Sequence, residues 1–171
     1  VLAQAAVEGP LPEHDLHFVA PIATWDEALP LGNGLLGALV WGDGRPLKIS
    51  LDRTDLWDLR PVPEYESAEY RYSTMREWEK AGRYDDLIRV YDQPYHRPAP
   101  TKIPAGRIEI DLPDSADFEA TALRLRDATA TVDFSGGGRA EVFIAAEARV
   151  GLIRIAGVKG VALRLVAPAF G

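Results

Sequence analysis

The sequence predicts a mostly β fold, an antiparallel β-sandwich with a short helical insertion near residues 74–92. Three observations carry this. Polar and apolar residues alternate with period two through the second half, as in Arg107-Ile108-Glu109-Ile110-Asp111-Leu112. Clusters of glycine, proline and aspartate punctuate these runs at short intervals. One stretch, Thr74 to Val90, breaks the alternation. A strand with one buried face alternates because successive side chains point to opposite faces. Short strands joined by tight turns make hairpins in a sandwich.

Residues 1–13 read as a disordered or processed tail, and 14–171 as the folded domain. Ala3-Gln4-Ala5 has the small-x-small form of a signal-peptidase site, so a secreted or periplasmic protein is expected. His14 to Ala20 reads as a lead-in strand. Leu35 to Trp41 and Leu47 to Leu51 form a hairpin across Gly42-Asp43-Gly44, because Asp-Gly supplies the positive φ that tight hairpins need. In the insertion, Thr74 stands three residues before Glu77, the spacing of a capping box. Ala81-Gly82-Arg83 divides it into two short helices, and residues 58–73 and 92–104 read as loops.

Further strands are expected at 107–112, 121–126, 129–134, 139–144, 150–155 and 161–166. Pro113-Asp114-Ser115, Asp127-Ala128, Gly136-Gly137-Gly138 and Gly157-Val158-Lys159-Gly160 connect them. The sequence stops at Ala169-Phe170-Gly171, directly after a strand. A sandwich of this kind uses more strands to cover both sheets, so the chain reads as a fragment of a larger polypeptide.

Composition narrows the function. The chain has 171 residues and a net charge of −7, which argues against nucleic acid and anionic membrane as partners. It has no cysteine, which removes disulfides, thiolate nucleophiles and cysteine zinc sites. No apolar run is long enough to cross a bilayer. His14, His17 and His96 lack zinc spacing, and no nucleophile elbow is present. Gly32-Asn33-Gly34 lacks the remaining spacing of a nucleotide fingerprint. No metal or cofactor is expected.

Asp52, Asp55 and Asp58 recur every third residue. A glycosidase needs two carboxyls flanking the scissile bond, although aspartates also serve turns through local hydrogen bonds. Asp26 and Glu27 read as caps of the segment leading to Leu29. Asn33 either takes a left-handed turn conformation or points its amide into a ligand cleft. All four tryptophans and all six tyrosines precede Pro98. Trp41 and Trp78 read as core. Tyr65, Tyr70 and Tyr95, on proline-rich loops, suit either packing or a sugar surface.

The run Trp25-Asp26-Glu27-Ala28-Leu29-Pro30-Leu31-Gly32-Asn33-Gly34, followed by Leu36 to Gly42, resembles the opening of the N-terminal domain of glycoside hydrolase family 95, the α-L-fucosidase type. Families 65 and 94 carry related β-domains. The family continues with Leu-Asn-Glu-Asp-Thr-Leu-Trp; here Leu51-Asp52-Arg53-Thr54-Asp55-Leu56-Trp57 departs from its Asn-Glu-Asp portion. Glu79 to Tyr84 and Pro104 to Ile110 resemble a later helical step and strand of the family. The likeness spans roughly residues 17–167 and is specific mainly in 25–57. It implies a sandwich of the super-sandwich type ahead of an (α/α)6 barrel that holds the catalytic carboxylates. No segment here resembles the barrel.

The expectation is therefore the non-catalytic N-terminal sandwich of a carbohydrate-active hydrolase, packed on a barrel of the same polypeptide, with an oligosaccharide as possible ligand. Trp25, Asn33, Asp52 and Trp57 are the expected cleft-rim residues. One alternative is a free-standing sugar-binding module with a groove lined by Tyr65, Tyr70, Tyr95 or Trp57. Another is a small complete glycosidase using Asp52 and Asp55.

Overall fold

A computed structural model describes residues 9–168. The chain divides into two units: one combines the residues up to 55 with those from 104 onward, and the other is Leu56–Ile103. In chain order the strands are β1 (Leu16–Phe18), β2 (Leu29–Gly32), β3 (Leu36–Trp41), β4 (Leu47–Arg53), β5 (Trp57–Asp58), β6 (Thr101–Lys102) and β7 (Arg107–Asp111). They continue as β8 (Phe118–Arg124), β9 (Thr129–Phe134), β10 (Gly138–Ile144), β11 (Gly151–Ala156) and β12 (Ala162–Val166). Two helices, α1 (Tyr72–Lys80) and α2 (Tyr84–Leu87), lie between β5 and β6.

The first unit is an antiparallel sandwich. One sheet has the order β1-β8-β9-β10-β11 and the other β12-β7-β4-β3-β2. Strand β10 lies on β2 and β3, and β9 on β2. Period-two alternation puts Leu47, Ile49 and Ile110 on one inner face and Val132, Phe134 and Val142 on the other. These residues form a single apolar cluster with Leu29, Leu31 and Val40.

The later strands fall where the alternation puts them, although β8 begins earlier, at Phe118, and carries a bulge between Phe118 and Ala120. The sequence reading assigns no strand to Leu29–Gly32, a segment that contains Pro30. The structure accommodates the proline: β2 is an edge strand paired only with β3, where a missing N–H costs nothing. The lead-in strand contracts to Leu16–Phe18, and Pro12–His14 before it form a 3-10 turn. Ala3-Gln4-Ala5 and Ala169-Phe170-Gly171 lie outside the described residues.

The β3–β4 turn does more than reverse the chain. Gly42 and Gly44 have φ of +96° and +99°, and the Asp43 carboxylate accepts the Arg45 N–H at 2.9 Å. The Gly44 carbonyl accepts the Leu112 N–H at 2.8 Å. A Cβ on Gly44 would stand 2.8 Å from the Phe134 ring and 2.9 Å from Leu112, so the turn is docked on the core.

In the second unit, α1 starts at Tyr72 after Arg71, so Thr74 lies inside the helix and caps nothing. Helix α2 runs into a π-helical stretch, Ile88–Asp92, and then a 3-10 turn, Gln93–His96. Trp78, Val90 and Val62 are buried. Tyr65 packs on Tyr70 at 4.6 Å, Tyr70 stacks on Tyr91 at 5.2 Å, and Tyr91 meets Trp78 edge-on at 6.3 Å. β5 and β6 pair with each other, so that Asp58, Thr101 and Lys102, read as loop, lie in strands.

The outer faces of the sandwich carry cross-strand ion pairs. Glu109 on β7 is only 5% exposed. It accepts from Arg107 of its own strand and from the Arg164 Nε on β12 at 2.7 Å. The Arg107 hydrogen bond first, and Arg164 with it, hold its carboxyl below the usual glutamate range against the opposing effect of burial. A lowered folded-state value contributes stability that is complete above the ordinary glutamate range and is lost as pH falls through the lowered one. Glu109→Gln is expected to lower the plateau at neutral pH and to flatten the acid limb. Urea midpoints from about pH 7 to about pH 3 measure this, and an acid limb unchanged in slope would refute it.

Candidate functional site

The three rim candidates of the sandwich unit lie at two ends of one strand. Asn33 and Asp52 share one end: the β2–β3 turn follows Gly32, and Gly32, Gly37 and Asp52 form one row across β2, β3 and β4. Asp52 is exposed there. Trp25 opens the 3-10 turn Trp25–Glu27 that leads into β2, beside the other end of β3, and is 64% exposed. Strand β2 separates it from Asn33 by about 13 Å, at about 3.3 Å per residue. Asp26 and Glu27 lie within that turn, and no side chain caps it. Trp57 belongs to the other unit, on β5, and is 50% exposed.

Asn33 is the best-defined of the four. Gly34, not Asn33, takes the positive φ of the turn, at +88°. The Asn33 Oδ1 accepts the N–H groups of Leu35 at 3.0 Å and Leu36 at 2.9 Å. Its Nδ2 donates to the carbonyls of Ala145 at 2.9 Å and Ala148 at 3.0 Å. One amide thus ties the β2–β3 turn to the β10–β11 loop. Asn33→Asp keeps the acceptor but turns lone pairs on two carbonyls. It is expected to cost about 1–3 kcal/mol, read by urea unfolding, with faster amide exchange in residues 145–150. Unchanged stability would contradict this role.

Asp55 lies past the end of β4. Arg53 binds both its oxygens, Nε to Oδ1 at 2.9 Å and Nη2 to Oδ2 at 2.6 Å. That hydrogen bonding holds the Asp55 carboxyl below the usual aspartate range. Arg60 does the same to Asp58, Arg89 to Asp86 and Arg107 to Glu109. Such carboxylates stay ionised at neutral pH, the reverse of what a general acid requires. Among the described residues, no three His, Asp or Glu side chains converge on a metal position.

The outer face of the β8–β11 sheet has a shallow concavity of about 550 Å³. Its charges pair across strands, Arg139 with Asp133 at 2.5 Å and Arg154 with Glu141 at 3.0 Å. On the outer face of the other sheet, Trp41 is partly buried and donates its indole N–H to the Ser50 hydroxyl at 3.0 Å. Lys48 sits 4.1 Å from its ring.

The second unit contains a groove of about 600 Å³ along α1. Tyr72, Met75 and Ile88 give it an apolar surface, and Arg76, Glu79 and Asp92 charge its rim. The sequence names the aromatics of this region but not the groove. Only the helical spacing of Tyr72, Met75, Arg76 and Glu79, which puts them on one side of α1, points to it. Tyr65 and Tyr70 are engaged with each other, whereas Tyr95 is exposed.

A family model described as "Glycosyl hydrolase family 65, N-terminal domain" matches residues 16–167. This is one of the two families named as relatives of the opening motif, rather than family 95 itself. No curated protein matches the chain.

Proposed function

The chain belongs to the family of glycosyl hydrolase family 65 N-terminal domains, and we propose that it is the non-catalytic sandwich of a larger glycoside hydrolase, joined to a catalytic domain of the same polypeptide. That domain is read as an (α/α)6 barrel holding the acid and base. The observation that carries the reading is the match of the family model over residues 16–167. Asp55, Asp58, Asp86 and Glu109 each pair with an arginine, which holds the carboxyl below its usual range. Cleavage of a glycosidic bond calls for one carboxyl with a raised proton affinity facing another across the sugar.

Within this reading the end of the sandwich that carries Asn33 and Asp52 meets the cleft rim. The α-L-fucosidase-like assignment rests on the Trp25 to Gly42 motif. The 171-residue chain is expected to leave aryl glycosides, an α-L-fucoside among them, intact. The parent polypeptide is expected to cleave at least one of them. Turnover by this chain alone that disappears in Asp52→Asn would overturn the reading.

A second reading, a free-standing carbohydrate-binding module, is favoured by one observation, the amphiphilic groove beside Tyr72. Oligosaccharide binding by this chain that Tyr72→Ala removes would move the conclusion there.

A further inference from the structure

The Asn33 amide that ties the β2–β3 turn to the β10–β11 loop is also chemically labile. It belongs to the single asparagine of the chain, and a glycine follows it. The carbonyl carbon of an asparagine side chain is open to attack by the backbone nitrogen of the next residue. Glycine shields that nitrogen least, because it has no Cβ. Around Gly34 the turn is open: a Cβ built there would meet no atom within 4 Å. The hydrogen bonds of the turn use the N–H groups of Asn33, Leu35 and Leu36, and not that of Gly34. Two of them fall on Oδ1 and draw electron density from Cγ, the atom to be attacked.

We propose that Asn33-Gly34 is a spontaneous deamidation site, and that its modification releases the β10–β11 loop from the β2–β3 turn. The Gly34 nitrogen forms a bond to Asn33 Cγ and gives up its proton. The Cγ–Nδ2 bond breaks, and Nδ2 takes up a proton and leaves as ammonia, which closes a five-membered imide. Water then opens the imide. Attack at Cγ leaves aspartate. Attack at the main-chain carbonyl of the same residue leaves isoaspartate, in which the backbone runs through the former side chain. Water is the one co-reactant, so the chemistry is the same whether or not the chain is part of a larger enzyme.

Either product ends the tie. The departing Nδ2 is the donor to the carbonyls of Ala145 and Ala148. In aspartate an oxygen takes its place, an acceptor in front of two acceptors. In isoaspartate the backbone gains a methylene inside a turn that the Asn33 N–H closes on the Leu36 carbonyl at 3.1 Å. The loop has little packing of its own. Residues 146–150 are exposed, and the Ala145 N–H on the Val150 carbonyl at 3.0 Å closes the loop only on itself. The same tie sets the pace of its own loss. Departure of Nδ2 requires it to leave both carbonyls, so the reaction follows local opening of the turn.

The test is peptide mapping by mass spectrometry on the 171-residue chain held in mildly alkaline buffer. The folded chain is expected to gain aspartate and isoaspartate at position 33 about tenfold more slowly than the chain unfolded in urea. Ala148→Gly loosens the loop without touching Asn33. It is expected to speed the folded-state reaction about two- to fivefold and to leave the rate in urea unchanged. The converted chain, separated by its added negative charge, is expected to exchange amide hydrogens faster over residues 145–150. Asp43-Gly44 can form the same imide, but with no change of mass, so it does not enter the count. No product at position 33 in the folded chain by the time the urea sample has fully converted overturns the site. Equal rates in the folded and unfolded chains overturn the control by the tie. A converted chain that exchanges residues 145–150 at the original rate overturns the release.

Discussion

Phe134→Ala is expected to destabilise the sandwich by about 3–5 kcal/mol. Phe134 ends β9 and is fully buried. Its ring fills the space in front of the β3–β4 turn, where Gly44 approaches so closely that even a methyl group would overlap it. Truncation removes a large apolar contact from water and leaves a cavity between two sheets that hydrogen-bonded ladders hold apart. Gly44→Ala attacks the same contact from the other side. It meets a left-handed backbone penalty of about 1–2 kcal/mol and an overpacking cost of about 1–3 kcal/mol. The double variant separates the two. With the ring gone its share of the steric cost disappears, while the Leu112 share and the backbone part remain, so the combined loss should fall short of the sum. Urea unfolding of the three variants measures this; strict additivity would mean that Gly44 and Phe134 do not meet.

Trp78→Ala is expected to loosen the helical unit by about 3–5 kcal/mol. Trp78 is the one buried residue of α1 and takes the edge of Tyr91 on its ring. Arg83 lies 4.9 Å from the ring and Arg89 6.0 Å. Tyr91 in turn accepts the Arg71 N–H at 3.1 Å and donates to the Glu69 carbonyl at 2.7 Å. Removing the indole therefore frees the aromatic stack and the loop that the stack ties down. A small unit with so few buried residues has little else to hold it, so the loss should appear as local opening. Hydrogen exchange over residues 72–96 is the measurement. Exchange at the original rate would show that the indole is dispensable.

Most of the sandwich was legible because its signal is local. A strand with one wet face must alternate, and the sequence runs around Ile108, Val132 and Val142 do so; β10 alternates in burial too, whereas β9 is buried on both faces from Thr129 to Val132. What failed to show was decided by tertiary context. Leu29–Gly32 carries proline and becomes a strand only because an edge tolerates it. Thr74 and Glu77 have capping-box spacing, but the helix begins two residues earlier, at Tyr72. The π-helical stretch at Ile88–Asp92 has no sequence pattern to announce it. The rim candidates were joined by nearness in sequence. In an antiparallel sheet, however, residues at the two ends of one short strand are far apart, which separates Trp25 from Asn33. Asn33 stood out because it lies between two glycines, but its two carbonyl partners are more than a hundred residues away.

β4 and β7 are neighbours in one sheet although the whole of residues 56–103 lies between them in sequence. The chain departs and returns through one hydrogen-bonded gateway, with the Leu51 N–H on the Gly106 carbonyl at 2.9 Å and the Ala105 N–H on the Leu51 carbonyl at 3.1 Å. Closing a loop costs only about 0.6 kcal/mol for each doubling of its length. The frame is thus almost indifferent to what it carries there. Lengthening, shortening or exchanging that passenger segment would leave every ladder of the sandwich in register, so natural variation has room to rewrite it without refounding the fold.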